Sequence, residues 1–302
     1  MTKTRRYLFV ATLTMALAGC GEWIKADDFK GGAGGALEDF PEVESLEHYG
    51  LSVVMERYTQ SVSSPSDQQV LFDYDGLAAD GEARYLLDQY LASLASVDPS
   101  KLATPAERLA YWINGYNAGV VQGVLRDYEG KANFSVVDTG SFFDTPSYVF
   151  GGETMTLNQL ENLVVRGDTE HAAASGVSSE RATLFATWHG ELWPEGKVDA
   201  RMHAAFNCAA LSCPNLLSGS PFVYRAANLE ALLQQNIVAW LDAAKGANAG
   251  GISQLFDWYA KDFVAHSGSV ESFIETYRTD GLEGIDTTRY LDYDWTLNIA
   301  AP

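Results

Sequence analysis

The sequence predicts a predominantly helical α+β fold, arranged as a single compact domain with a few short strands. Apolar residues make up 47% of the 302 residues and aromatic residues 12%, which is enough to fill a core. Apolar residues recur with the 3.6-residue period of a helix in several segments, of which Glu82–Ser96 and Asn228–Ala244 are clear examples. The alternation typical of strands is confined to short runs. Helices are therefore expected to dominate the fold.

The first half of the predicted domain contains three helices. We expect one helix over Val43–Gln60, a polar break over Ser61–Ser66 and a second helix over Glu82–Ser96. The third helix should open at Thr104-Pro105-Ala106-Glu107 and run to about Tyr128. This opening combines a threonine N-cap, a proline in the first turn and a glutamate that completes a capping box.

The second half begins with a predicted hairpin. Tyr148–Phe150 and Glu153–Met155 flank Gly151-Gly152, which is typical of a two-residue turn. Thr156-Leu157-Asn158-Gln159 then forms a second capping box that opens a helix through Val165. The remaining expected elements are a strand over Lys197–Phe206, helices over Asn228–Ala244 and Ser253–Ala265, and an aromatic segment, Tyr290–Leu297, that packs back on the body.

The N-terminus has the layout of a bacterial lipoprotein signal. Lys3, Arg5 and Arg6 precede the apolar stretch Tyr7–Ala18, which is too short to be a stable membrane span. It ends in Leu17-Ala18-Gly19-Cys20, which resembles a lipobox, where the signal is cut before the cysteine and the thiol is lipidated. We therefore expect a signal peptide over residues 1–19, a lipidated flexible tether over residues 20–38 and one domain over residues 39–300.

The charge balance restricts the partners. There are 40 Asp and Glu against 20 Lys and Arg, a formal net charge of −20, which argues against a nucleic-acid partner because phosphate binding needs clustered cations. The expected membrane contact is the lipid on Cys20. We expect a place in the bacterial cell envelope facing the periplasm. Gly21 follows Cys20 where an aspartate would indicate inner-membrane retention, which favours the outer membrane.

Candidate catalytic residues cluster around the first of two neighbouring cysteines. On an extended segment Arg201, His203 and Asn207 share one face, because side chains alternate along a strand. A basic side chain, an imidazole and an amide would then lie beside Cys208. This combination suits nucleophilic catalysis by a thiol, with His203 as base, Asn207 as an orienting or oxyanion-binding group and Arg201 in binding.

The second cysteine precedes a proline. Because Pro214 suits a first helical position, Cys213 is a candidate N-cap, where free amides and the helix dipole favour a thiolate. Three states of Cys208 and Cys213 remain open: a structural disulfide, a catalytic thiol and a redox-active pair. Export into an oxidising compartment favours a bridge. A continuous helix would place the two Cα atoms roughly 8–9 Å apart, too far for one, so bridging requires a loop.

Three polar residues lie in strongly apolar stretches. Asn114 and Asn117 share a face of the predicted buried helix, where their amides need partners. A structural role, tying the helix to a loop, is favoured over a catalytic one. Asp294 lies between two aromatic residues, and we expect it to find a donor such as Arg201 or His203.

No motif indicates a cofactor. The sequence has no cluster of histidines or carboxylates at metal-ligand spacing, no glycine-rich phosphate loop and no serine nucleophile elbow. We therefore expect neither a metal site nor a bound nucleotide.

Four separated motifs resemble the domain of unknown function 547 family, over about residues 72–298. They are Arg108–Ala118, the segment from Arg201 through Pro214, Trp258–Phe263 and Tyr293–Asn298. The resemblance implies that the family's signature polar positions are occupied by Asn114, Asn117, Glu161, His203, Cys208, Cys213 and Asp294. Asn162 stands where the family is expected to have a histidine, which weakens any scheme with a second imidazole there. The family implies no settled activity.

Three functions follow as hypotheses. The first is a cysteine-dependent hydrolase or acyl transferase acting on an envelope amide or ester, with Cys213, or less favourably Cys208, as nucleophile and Asn114 or Asn207 assisting. The second is a thiol–disulfide redox protein. The third is a non-catalytic binding or structural lipoprotein stabilised by a Cys208–Cys213 disulfide. The substrate, any protein partner and the oligomeric state are not predicted.

Overall fold

The long helix α4 (Pro105–Tyr128) lies at the centre of the fold. The computed structural model describes residues 48–64, 67–138, 140–145 and 147–300. The predicted capping box is present, because the Thr104 hydroxyl accepts from the Glu107 amide at 3.2 Å and the Glu107 carboxylate accepts from the Thr104 amide at 2.9 Å. The helix is buried almost continuously from Leu109 to Leu125, so the other elements pack around it.

The described helices pack in two adjacent apolar clusters. The larger cluster surrounds α4 and includes α1 (Tyr49–Tyr58), α2 (Tyr74–Ala79), α3 (Gly81–Ser96) and α5 (Ser179–Leu192). The smaller cluster is formed by α7 (Leu255–Trp258), α8 (Ala260–Ser267) and α9 (Val270–Tyr277). Helix α6 (Leu229–Asp242) contributes side chains to both clusters. The candidate site described below lies where the two clusters meet.

In the part of the chain that the structure describes, the strands form three antiparallel hairpins. They pair β1 (Thr59–Ser64) with β2 (Asp67–Phe72), β3 (Tyr148–Phe150) with β4 (Glu153–Met155), and β5 (Ala247–Asn248) with β6 (Gly251–Ile252). The hairpin β3–β4 has the predicted bounds. Its turn residues Gly151 and Gly152 have φ angles of +59° and +81°, a backbone region that glycine enters at little cost. The predicted fold class, an α+β domain with few short strands, is thereby confirmed.

Several predicted elements differ from the structure. The predicted strand Lys197–Phe206 is wrong, because Ala200–Ala204 forms a 3₁₀ helix. The predicted helix Ser253–Ala265 is interrupted at Tyr259, which separates α7 from α8. Within the segment Ser61–Ser66, expected as a polar break, residues 61–64 belong instead to strand β1. Helix α5 was not predicted.

The C-terminal segment packs back on the body, as predicted. Thr296 forms a β-bridge with Ser135, and Leu297 forms one with Ala210. The predicted signal peptide, Cys20 and the tether lie outside the described residues. Within the described part of the chain, no helix has the length and apolar character that a transmembrane span needs.

Candidate functional site

His203 is presented by the 3₁₀ helix Ala200–Ala204. The Asp199 carboxylate caps this helix by accepting from the Arg201 amide at 3.0 Å. Residues two apart in a 3₁₀ helix do not share a face, because the turn contains three residues. Arg201 instead forms ion pairs with Asp199 at 2.6 Å and Glu230 at 2.7 Å, whereas His203 is buried. The predicted shared face is therefore wrong, and Arg201 is not a wall residue of the site.

The two cysteines are joined in a disulfide. The Cα atoms of Cys208 and Cys213 are 6.2 Å apart. Asn207 supports the loop between them, because its Nδ2 donates to the Pro214 carbonyl at 2.7 Å and its backbone amide donates to Oδ1 of Asn117 at 2.9 Å. Residues 214–228 contain no helix, so the predicted N-cap role of Cys213 is wrong. The bridge fits two of the three states left open by the sequence, the structural disulfide and the redox-active pair.

Asn114 and Asn117 connect α4 to two loops. Asn114 donates to the carbonyl of Tyr224 at 2.7 Å and accepts from its amide at 3.1 Å. Asn117 donates to the Ala205 carbonyl at 2.9 Å in addition to accepting from Asn207. Backbone groups thus engage both ends of each amide, which is the structural role that the sequence favoured.

His203 is held by a buried carboxylate from α8. Nε2 of His203 donates to Oδ2 of Asp262 at 2.9 Å, and Nε of Arg166 donates to the same oxygen at 2.6 Å. Burial alone would raise the pKa of Asp262, but the hydrogen bonds and charges of His203 and Arg166 hold it below its usual value. The His203 ring also stacks on Tyr259, with centroids 4.3 Å apart. The imidazole is therefore fixed in orientation, and its other nitrogen, Nδ1, has no hydrogen-bond partner among the described residues.

Glu161 lies in a π-helix, Gln159–Val165, in which the Arg166 amide donates to the Glu161 carbonyl at 2.9 Å. Such widened turns occur frequently at functional sites. The Glu161 side chain interacts with the hydroxyl groups of Tyr116 and Tyr259. Burial and the negative charge of Glu161 raise the pKa of both tyrosines well above its usual range, so both remain neutral hydrogen-bond donors.

These groups line one cavity of about 130 Å³. Its polar wall contains Glu161, His203 and the bridged Cys208 and Cys213. Much of the remaining wall is aromatic and includes Tyr116, Phe143, Phe206, Trp258, Tyr259, Tyr293 and Trp295. A concave, mainly apolar space with a few convergent polar groups is the usual form of a small-ligand site.

The two sulfurs differ in exposure and share a donor. Cys213 is 2% exposed, whereas Cys208 is only half-buried. The hydroxyl of Tyr293 lies 3.3 Å from Sγ of Cys208 and 3.2 Å from Sγ of Cys213. The Cys208 amide also donates to Sγ of Cys213 at 3.0 Å. Burial, followed by the charge of Glu161, raises the pKa of Tyr293, so its hydroxyl stays protonated.

The structure thus brings together Glu161, His203, Cys208 and Cys213 from the predicted set. Asn117 and Asn207 support the site from outside the cavity, and Asn114 lies farther along α4. Asp294 is exposed, and its carboxylate accepts from the Thr296 amide at 2.9 Å. The expectation that Asp294 pairs with Arg201 or His203 is wrong, since both of those side chains pair with other carboxylates.

Sequence reasoning missed five residues of the site. Two of them, Arg166 and Asp262, form the ion pair behind His203. The other three are the tyrosines Tyr116, Tyr259 and Tyr293. Two of these residues could have been found from the sequence, because a charge beside apolar residues indicates a buried ion pair. Arg166 directly follows an apolar run, and Asp262 directly precedes a core phenylalanine. Among the described residues, no group of three or more His, Cys, Asp or Glu side chains is placed to hold a metal ion.

Fold and site together define a mainly helical α+β domain with a histidine and a disulfide in one aromatic cavity. Residues 99–241 match the family described as "Protein of unknown function, DUF547". This stretch includes Glu161, His203 and both bridged cysteines, and it ends before Asp262. No curated protein and no solved structure matches the chain.

Proposed function

We propose that this protein is a bacterial envelope lipoprotein, anchored through Cys20, that acts as a cysteine-dependent hydrolase or acyl transferase on an amide or ester. The anchor rests on the lipobox-like sequence that ends at Cys20. Mass spectrometry of the N-terminal peptide tests it: a diacylglyceryl-modified Cys20 is expected, and an unmodified thiol at that position would contradict the anchor.

The observation that supports the enzyme proposal is the shared cavity of His203 and Cys208. Asp262 binds Nε2 of His203, which leaves Nδ1 as the nitrogen that can accept a proton. A thiol, an imidazole and a carboxylate that orients the imidazole are the three groups that nucleophilic cysteine catalysis requires.

Exposure favours Cys208 as the nucleophile over Cys213. A substrate in the cavity can reach the half-buried Cys208, whereas Cys213 is 2% exposed. The sequence-based preference for Cys213 depended on a helix that the structure does not contain.

The bridged form must first be reduced. A dithiol reductant supplies two electrons and two protons, so that the disulfide becomes two thiols and the reductant becomes a disulfide. The Cys208 thiol then transfers its proton to Nδ1 of His203, and its sulfur attacks the substrate carbonyl carbon. The amine or alcohol leaves with the proton from His203. Water then cleaves the thioester in a hydrolase, and a second amine or alcohol does so in a transferase.

Two donors near Cys208 suit the charge that develops on the carbonyl oxygen. The Cys208 amide donates to Sγ of Cys213 in the bridged form and is released when that sulfur moves away. The Tyr293 hydroxyl contacts both sulfurs and remains protonated because burial and the charge of Glu161 raise its pKa. These groups replace Asn114 and Asn207, whose amides are engaged by the backbone.

A matched pair of cysteine variants tests the proposal. Full-length Cys213→Ser and Cys208→Ser proteins, both also carrying Cys20→Ser so that no third thiol reacts, are mixed with p-nitrophenyl acetate without reductant, and intact mass and p-nitrophenol release are followed. We expect Cys213→Ser to form an acetyl thioester on Cys208 and Cys208→Ser to remain unmodified. Adding His203→Gln to Cys213→Ser should slow acylation by about 10²-fold or more, the usual worth of a general base. Equal acylation of the two cysteine variants would contradict the proposal.

A second candidate is thiol–disulfide exchange, which the contacts of Cys213 favour. An external thiolate would attack Sγ of Cys208, the sulfur–sulfur bond would break, and the electron pair would leave on Cys213. The Cys208 amide at 3.0 Å and the Tyr293 hydroxyl at 3.2 Å would stabilise that thiolate. Equilibration with glutathione buffers tests this candidate. A potential near that of the glutathione couple supports it, and one below about −300 mV excludes it. A protein that fails both tests is a non-catalytic binding or structural lipoprotein.

A further inference from the structure

Glu161 is a buried carboxylate without a cationic partner. Its residue is 6% exposed and lines the cavity. Among the described residues, no lysine, arginine or histidine nitrogen lies within ion-pair distance of it. Arg166 acts on Glu161 only through space and is bound by Asp262 and Asp168. His203, which lines the same cavity, binds Asp262. The hydroxyl groups that Glu161 contacts are neutral.

The charges around the cavity therefore do not balance. Arg166 contributes one positive charge, Asp262 offsets it, and the negative charge of Glu161 is left over when His203 is neutral. Removing a carboxylate from water without a counter-charge is costly, and a ligand cation would supply the missing partner. A site with this balance selects a positively charged group over a neutral one of the same shape.

The aromatic wall suits the same kind of ligand. Three aromatic rings form a cluster, those of Trp258, Tyr293 and Trp295. The ring centroid of Trp258 lies 4.9 Å from that of Tyr293 and 5.7 Å from that of Trp295, and the last two centroids are 4.6 Å apart. Trp258 is 43% exposed, so a ligand in the open cavity can reach this side chain. Aromatic faces attract ammonium groups within about 6 Å of the ring centroid. Three rings and one carboxylate at the same cavity provide both contributions.

We infer that the cavity binds the ammonium group of a cationic substrate, through the charge of Glu161 and the aromatic cluster Trp258–Tyr293–Trp295. This inference rests on the proposed function, because it assigns the substrate class of that same site: an amide or ester that carries a short aminoalkyl group. The volume of about 130 Å³ sets the size. A cavity of roughly 150 Å³ accommodates benzene, so the group that enters has about six non-hydrogen atoms.

The test compares a charged and a neutral probe of similar shape. Full-length oxidised protein is titrated with n-butylammonium and with 1-butanol in about 0.15 M salt, which screens the general attraction of an acidic surface. Binding is followed by ligand-observed NMR. We expect n-butylammonium to bind at least tenfold more tightly than 1-butanol.

Three variants locate the preference. Glu161→Gln keeps the shape and removes the charge, and it should abolish the tenfold preference. Glu56→Gln makes the same change at an exposed position on α1 and should leave the preference intact. Trp258→Leu, at a position that is 43% exposed, should weaken n-butylammonium binding severalfold in a protein that circular dichroism has shown to be folded. Equal binding of both probes to the unmodified protein, an unchanged preference in folded Glu161→Gln, or unchanged n-butylammonium binding in folded Trp258→Leu would overturn the inference.

The oxidised protein has no free nucleophile at this site, so the titration does not depend on catalysis. A protein that acylates Cys208 but binds both probes equally retains the proposed function and loses the inference. A protein that prefers n-butylammonium but never acylates Cys208 retains a cation site and loses the proposed enzyme.

Discussion

Reduction of the disulfide should loosen the protein without unfolding it. Cys208 and Cys213 are five positions apart, so the bond closes a loop of about six residues. The chain-entropy relation gives a stabilisation of about 2 kcal/mol for so short a loop. Domains of this kind have a free energy of unfolding of about 5–15 kcal/mol, so the reduced protein should stay folded.

Other contacts keep the loop in place after reduction. Asn207 bonds the Pro214 carbonyl at 2.7 Å, the Leu211 amide donates to the Thr296 carbonyl at 2.9 Å, and the Ser212 amide donates to the Asp294 carbonyl at 3.2 Å. None of these hydrogen bonds involves a sulfur atom. In the reduced state, Cys208 should therefore stay at the cavity that His203 also lines, as a thiol enzyme requires.

Urea unfolding followed by circular dichroism, with and without dithiothreitol, measures this loss. We expect the free energy of unfolding to fall by about 2 kcal/mol on reduction. A double variant, Cys208→Ser with Cys213→Ser, should show no response to the reductant. Unfolding of the reduced protein would refute the reasoning, since the bridge would then be indispensable to the fold. A loss of zero would contradict the predicted stabilisation by the bridge.

Two further predictions concern the fold. Alanine in place of a helical glycine normally stabilises by about 0.5–1 kcal/mol. Gly123→Ala should instead lower the free energy of unfolding by about 1–3 kcal/mol relative to Gly190→Ala, as measured by urea unfolding. A Cβ at position 123 would lie 2.7 Å from Oη of Tyr148, whereas a Cβ at position 190 meets open space. Equal effects of the two substitutions would contradict the packing of the β3–β4 hairpin on α4. Burial, with a smaller effect of Arg225, lowers the pKa of His48 to about 4, so the unfolded state binds the extra proton and stability falls as pH drops from about 6.5 towards 4. Between pH 7 and 4.5 the free energy of unfolding should fall by about 2–3 kcal/mol more in the unmodified protein than in its His48→Gln variant. An equal fall in both proteins would show that His48 is not buried in solution.

Local signals in the sequence predicted much of the fold. The capping box at Thr104 and the turn at Gly151-Gly152 set α4 and the β3–β4 hairpin correctly, because caps and glycine turns act over a few residues. The strand predicted over Lys197–Phe206 failed because the Asp199 cap, which bonds a backbone amide, outweighed a weak alternation.

The site was only partly predictable for a different physical reason. Residues close together along the chain, such as His203, Cys208 and Cys213, were found by their spacing. Asp262 lies 59 positions beyond His203 and meets it only because the two apolar clusters pack together. The sequence analysis named Arg201, and not Arg166, as a residue of the site. A sequence alone does not show which arginine is buried beside a carboxylate.

The central claim is that His203 acts on the sulfur of Cys208. The direct test is the pH dependence of iodoacetamide alkylation at Cys208, measured on the peptide that contains Cys208 so that Cys20 is not counted. It is measured in the Cys213→Ser variant, with and without His203→Gln, after circular dichroism has shown that both are folded. We expect a titration midpoint below the ordinary thiol value of about 8.5 in the first protein, and a midpoint that moves up towards 8.5 in the second. Identical profiles for the two proteins would contradict it.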